Sequence, residues 1–269
     1  MATMTSVRTT RTPRARAVRL LTVALAGVLI GLSSFVLVRY VTTPRRTTPF
    51  YNPPVVAGQW IPGYCSAGVY ARLGNTIVLT TSPHCAGVGV VAHDPDSGIL
   101  LGTFGPTAQD ATCPYPGHFC APSDMNYLVV APARIPWGHL NVIDLGTAGY
   151  RVLAPDTEPL SCGDIAIGDP IELDGRGVYR TGTVAEKGEN LHPANEDGSF
   201  FPCMVASTLQ VGPGDSGSVV LVRGVPAGVA SRSFGGNLGF TPLAEGLAEL
   251  DLTLCTTPNC GLTPAIVRP

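Results

Sequence analysis

Short runs of β-branched and aromatic residues, each closed by glycine, proline or an Asx residue, recur from about residue 63 to residue 252. Thr76-Ile77-Val78-Leu79-Thr80 follows the turn signal Gly74-Asn75, and Asn126-Tyr127-Leu128-Val129-Val130 is a second run. Ile171-Glu172-Leu173 alternates apolar and polar. Asp174-Gly175 then predicts a turn, with residues 178–184 as the returning strand of a hairpin. Residues 218–222 and 227–230 are again strand-sized and bounded by Gly or Pro. Many short strands with a turn signal every ten residues or so predict an all-β domain, sandwich or barrel. Helical spacing occurs at Leu243, Leu247 and Leu250, which predicts a short C-terminal helix over 243–254. No internal repeat long enough for a solenoid is present.

The N-terminal part follows a different pattern. Residues 20–38 form an apolar run without a charge, long enough to cross a bilayer core as a helix. Five arginines precede it and three follow (Arg39, Arg45 and Arg46), and the first 50 residues contain no acid. The positive-inside bias puts residues 1–19 in the cytoplasm and everything beyond residue 40 outside the cell. A cleaved signal peptide is the alternative. The run ends in Val38-Arg39-Tyr40, which does not suit a signal peptidase, so an uncleaved anchor is favoured. Pro44, Pro49, Pro53, Pro54 and Pro62 make residues 39–62 an extended stalk. The predicted order is a basic tail (1–19), an anchor (20–38), a stalk (39–62), a β domain (63–254) and a C-terminal tail (255–269).

Charge and cysteine content sharpen the picture. Beyond residue 50, nine Lys and Arg face nineteen Asp and Glu, so this part is strongly acidic although the chain as a whole is only −2. Nucleic acid is excluded as a partner, because binding it needs cations for its phosphates. All eight cysteines lie after residue 60, on the side of the apolar run read as extracytoplasmic. An even number there predicts disulfides. No Cys-x-x-Cys pair exists, and His84-Cys85 has no second ligand pair at zinc-like spacing, so no metal is expected.

Three segments carry candidate chemistry. Gly212-Pro213-Gly214-Asp215-Ser216-Gly217-Ser218 sets a serine among glycines. Small neighbours let a substrate carbonyl approach main-chain N–H groups, as an acyl-transfer nucleophile requires. Alone, the segment reads equally well as a Gly-rich turn. Leu79-Thr80-Thr81-Ser82-Pro83-His84-Cys85 places a histidine, the usual general base, at the end of a strand. Ser123-Asp124-Met125-Asn126 places an acid at the mouth of an apolar strand. Asp94, Asp96 and Asp110 compete for a role beside His84, but they sit in turns and a polar loop.

Taken together, His84, Asp124 and Ser216 occur in an order and at intervals that resemble the chymotrypsin-like serine protease family. The small size and the Pro-Gly-Asp-Ser-Gly-Ser form resemble its secreted actinobacterial branch most. The resemblance covers roughly residues 63–250. It implies two six-stranded antiparallel β-barrels with the site between them, and an endopeptidase that needs no metal or organic cofactor. By that resemblance Ser216 attacks the scissile carbonyl, His84 takes and returns the proton, and Asp124 orients the imidazole. The N–H groups of Gly214 and Ser216 form the oxyanion hole, and Asp215 is structural. Ser231 supports Asp124, and the segment Ser231-Arg232-Ser233 pairs with extended substrate by strand addition. Pro83, Asn126 and Ser218 depart from the family's usual Ala, Ala and Gly. Activation by an animal-style new N-terminus is not expected.

The resemblance also implies the disulfide Cys65–Cys85. Cys113 with Cys120 and Cys255 with Cys260 then close short loops, which leaves Cys162 with Cys203. Eight cysteines admit on the order of a hundred pairings, so only a disulfide map decides. At the base of the primary pocket the family's position falls on Gln210, with Ser231–Ser233 and Gly239-Phe240-Thr241 as walls. With no acid there, neutral substrate side chains are expected; Arg232 reaching into the cleft would instead attract an acidic one. The expected partners are a polypeptide substrate and, through the anchor, the membrane, with a monomeric catalytic domain. Two rivals stand beside a protease: an adhesin or scaffold that keeps the fold without the chemistry, and an esterase using the same groups.

Overall fold

The computed structural model describes residues 54–61, 64–107, 123–188 and 201–263, and the backbone alone at 119–120 and 199–200. Its elements in chain order are β1 (Tyr70–Leu73), β2 (Thr76–Thr81), β3 (Val91–His93), β4 (Leu100–Phe104), β5 (Phe119–Cys120) and β6 (Asn126–Val130). Then come β7 (Val142–Asp144), β8 (Tyr150–Val152), β9 (Pro170–Gly175), β10 (Val178–Gly188), β11 (Ser199–Phe200) and β12 (Met204–Gln210). The chain closes with β13 (Val219–Val222), β14 (Val225–Phe234), β15 (Asn237–Pro242), one helix α1 (Leu243–Glu249) and β16 (Thr253–Leu254).

The all-β expectation holds, and the two β units differ. One is a closed six-stranded barrel in the order β10-β12-β15-β14-β13-β9. The other is a six-stranded sheet, β16-β1-β2-β6-β4-β3, rather than the predicted second closed barrel. Its outer strand β16 comes from the far end of the chain, pairing Ala71 with Leu254. Two-stranded sheets β11-β5 and β7-β8 complete the structure.

Local sequence explains most of this. Ile77 to Thr81 of β2 are buried on both faces, so the strand reads as a continuous run and sits mid-sheet. The β9-β10 hairpin turns at Arg176-Gly177, two residues later than predicted, with Gly175 paired to Val178. Both turn residues have positive φ (52° and 74°), the two-residue turn whose twist suits a hairpin. Gly175 is instead a place of close approach: a Cβ there would lie 2.2 Å from Asp215 Oδ1. The predicted helix over 243–254 ends at Glu249. Asp251 takes φ 54° and Leu252 N–H bonds back to the Leu247 carbonyl, a left-handed stop. That stop redirects the chain into β16.

Residues 54–61, assigned above to the stalk, belong to the folded unit. Val55, Ala57 and Ile61 are buried in the core of the first sheet, and Val55 N–H bonds to the Arg134 carbonyl at 3.2 Å. Three predicted disulfides are present: Cys65–Cys85, Cys162–Cys203 and Cys255–Cys260. Cys113 lies outside the described residues, as do the basic tail, the anchor and the rest of the stalk up to residue 53. Among the described residues no helix is long and apolar enough to cross a membrane.

Candidate active site

Strand pairing brings the histidine and the aspartate to one end of the first sheet. β2 and β6 run antiparallel with Thr81 opposite Asn126. His84 lies three residues after Thr81 and Asp124 two before Asn126, so both leave the sheet at the same edge. His84 sits in a one-turn 3-10 segment over Pro83–Cys85. Pro83, a departure noted above, occupies its first turn, where no N–H is needed.

The serine loop is brought up to them by a short relay. Cys85, next to His84, is bonded to Cys65. The neighbour of Cys65, Ser66, donates its N–H to the Ser216 carbonyl at 2.7 Å and its hydroxyl to the Gly214 carbonyl at 2.8 Å. Gly217 permits that approach: its φ is 88° and a Cβ there would stand 2.1 Å from the Ser66 carbonyl oxygen. One disulfide therefore ties the histidine loop to the serine loop.

Asp215 anchors the serine loop from below. Its carboxylate is buried and takes a two-pronged ion pair from Arg180, Nη1 at 2.6 Å and Nη2 at 2.8 Å. Gly212 N–H also donates to it at 2.8 Å. The planar fork matches a carboxylate in a way a single point charge does not. With its carboxylate held by Arg180 and Gly212, Asp215 is engaged without a new chain terminus. Among the described residues the Gly214 and Ser216 N–H groups have no hydrogen-bond partner.

His84, Ser216, Asp215, Ser231, Arg232 and Ser233 line one cavity of about 390 Å³. Its remaining lining includes Val211, Ala230 and Leu238. Leu238 and Ala230 are buried and apolar, and pattern reading missed all three residues because none carries chemistry. Gln210, expected at the base, lies outside the lining; its amide donates to Asn237 Oδ1 and the residue is exposed. Phe240 and Thr241 are likewise outside the lining, though Thr241 Oγ1 accepts the Asp124 N–H at 2.9 Å.

The bonding of the polar groups holds a surprise. Asp124 is buried and its Oδ2 accepts from Arg232 Nε at 2.7 Å. His84 Nδ1 pairs instead with Ser82 Oγ at 2.9 Å. No hydrogen bond joins His84 to Asp124 or to Ser216. Burial pushes the His84 pKa below its ordinary value; the Asp124 charge works against this and Arg232 works with it. Burial raises the pKa of Asp124, opposed by Arg232 and then His84. Ser231 is buried beside that carboxylate and lowers its pKa. Its hydroxyl makes no bond of standard geometry, so we count it as an electrostatic neighbour. Asn126 is fully buried with neither amide atom paired, a cost the Ala usual in the family would avoid.

Among the described residues, the ligand atoms of Cys65, His84 and Cys85 cluster within 4.8 Å of one another. The two sulfurs are already joined as a disulfide and offer no thiolate to a metal.

Comparison with solved structures places this architecture. A glutamic-acid-specific serine protease that uses a histidine triad in substrate binding superposes with a TM-score of 0.55 at 20% identity, over 74% of this chain and 100% of its own. Cellulomonas bogoriensis chymotrypsin gives 0.55 at 19%, over 76% and 100%. Thermobifida fusca protease A gives 0.54 at 21%, over 75% and 98%. The fold is that of the chymotrypsin-like serine proteases. At these identities the likeness is one of fold, and it reaches the actinobacterial members suggested by the serine motif. No family model and no curated protein matches the sequence.

Proposed function

We propose that the protein is a serine endopeptidase in which Ser216 attacks the scissile carbonyl, His84 moves the proton and Asp124 steers the imidazole. The observation that carries this reading is the convergence of Ser216 and His84 on one cavity floored by a rigid, ion-paired loop. In the reaction, His84 removes the hydroxyl proton of Ser216 as its oxygen bonds to the carbonyl carbon. The resulting oxyanion is held by the Gly214 and Ser216 N–H groups. His84 then protonates the leaving amine, which departs and leaves an acyl-enzyme for water to hydrolyse. Ser231–Ser233, at the end of β14, supplies the backbone for strand pairing with an extended peptide. Val211, Ala230 and Leu238 make the cavity suited to a neutral side chain of modest size.

The apolar run at 20–38 supports a catalytic domain held outside the cell by a single span, with the basic tail in the cytoplasm. A fluorophosphonate probe tests the enzymatic reading: the full chain labels on Ser216, and Ser216→Ala does not. Folded wild-type protein that refuses the probe would sink it. One observation favours the scaffold instead: the Asp124 carboxylate is bonded to Arg232 and not to the histidine.

A further inference from the structure

Asp124 can steer His84 only if its carboxylate is available to the imidazole. In the structure the two are not hydrogen-bonded, and Asp124 Oδ2 is held by an arginine. Arg232 Nε donates to Asp124 Oδ2 at 2.7 Å, and the guanidinium lies over the Phe201 ring at 5.2 Å from its centroid. Phe201 is buried, so the stack helps fix the arginine. The Asp124 side chain is 9% exposed and that of Arg232 23%, so the pair is poorly screened by solvent. Meanwhile His84 Nδ1, the nitrogen a steering carboxylate would hold, is taken up by Ser82.

We propose that Arg232 is a positioning residue that acts as a brake: it competes with His84 for Asp124 and keeps the three groups out of working register until it lets go. The inference rests on the protease reading given above. Two features make release feasible. Arg232 lines the cavity beside Ser216, so a bound peptide along Ser231–Ser233 contacts the residue that must move. Asp124 stays anchored through its own N–H to Thr241, so the arginine can leave without moving the aspartate backbone, and His84 Nδ1 then exchanges Ser82 for the carboxylate. The charged groups acting on His84 are Asp124, which favours its cation, and Arg232, which disfavours it. Removing the arginine therefore moves the imidazole pKa upward and frees the carboxylate for Nδ1.

The test compares full-length wild type with Arg232→Gln. The steering aspartate of such an arrangement is worth about 10⁴ in kcat, so partial release is expected to raise kcat about tenfold or more. The His84 imidazole, followed by NMR titration, is expected to titrate at higher pH in the variant, with the acid limb of kcat moving the same way. A folded variant with the wild-type His84 titration overturns the brake. A raised titration without fluorophosphonate labelling of either protein upholds the brake and sinks the protease. Should Arg232→Gln not fold, Arg232→Met decides by the same readouts: kcat and the His84 titration are both expected to rise, and a folded variant in which neither changes overturns the proposal.

Discussion

The two β units divide the work unequally. The closed barrel has no free edge; its strands β12 and β13 lead into and out of the serine loop, and Ala230 of β14 hydrogen-bonds to both Gly217 and Ser218. Its contribution to the site, Ser216 and the N–H groups around it, is held from several directions at once. The first sheet is open, with β3 and β16 as edges and Val91 exposed on β3. It contributes His84 on a one-turn helix and Asp124 on a strand entrance, and their mutual bond is not made. The residues proposed as nucleophile and oxyanion donors are thus held from several sides, while the pair proposed to move the proton is left adjustable. The ties that cross between the units include Ser66 to the serine loop, Thr241 to Asp124 and Arg232 to the same carboxylate.

Several perturbations would break or sharpen this contrast. The largest is expected on the rigid side. Ser216→Ala removes the attacking oxygen and should lower kcat about 10⁴-fold or more while the melting transition stays put; casein hydrolysis measures it. Next, Arg180→Ala leaves the Asp215 carboxylate buried without its fork. Breaking a buried pair in this way costs about 3–5 kcal/mol, read from a denaturant titration, and should release the serine loop. On the adjustable side, replacing both Cys65 and Cys85 by Ala opens a loop with a sequence separation of 20. A loss of about 2–4 kcal/mol is expected, with kcat falling because the relay from Ser66 to His84 is cut.

Smaller effects follow from titration. Asp174 is buried on β9, and burial with the nearby Asp144 charge pushes its pKa up to about 6. Its ionised form is disfavoured in the fold, so its contribution to stability is present at acid pH and is lost as pH rises through about 6. Asp174→Asn should raise Tm by a few degrees at pH 8 and leave it unchanged near pH 4. Finally, the His84 pKa is lowered by burial, so the imidazole stays neutral and able to accept a proton below the ordinary histidine range. In wild type the acid limb of kcat/KM should fall below pH 6.5, and an acid limb above that value would contradict the placement of His84.

Much of the fold was legible in the chain. β-Branched runs marked β2, β6 and β13, because burial on both faces demands unbroken apolar side chains. The serine and histidine segments could be singled out because an acyl-transfer nucleophile would need small neighbours and a nearby base. The hairpin turn was misplaced because Asp-Gly is a strong turn signal, yet Gly175 was spent on the approach of Asp215. The end of α1 was hidden because Leu250 continues the helical spacing while Asp251 leaves it. Residues 54–61 looked like a linker because Pro53, Pro54 and Pro62 bracket them; their three core side chains are too few to show a period.

By itself the sequence determined which residue types were available and where the strands begin. Those depend on neighbours along the chain, on side-chain shape and on burial pattern, all of which are local. Which atoms bond across the cleft was decided only by the tertiary structure. Asp124 and Arg232 are 108 residues apart, and Arg180 and Asp215 are 35 apart. No local rule says that a carboxylate expected beside a histidine will be held by an arginine, because charge pairs form between whichever groups the packed strands bring within reach.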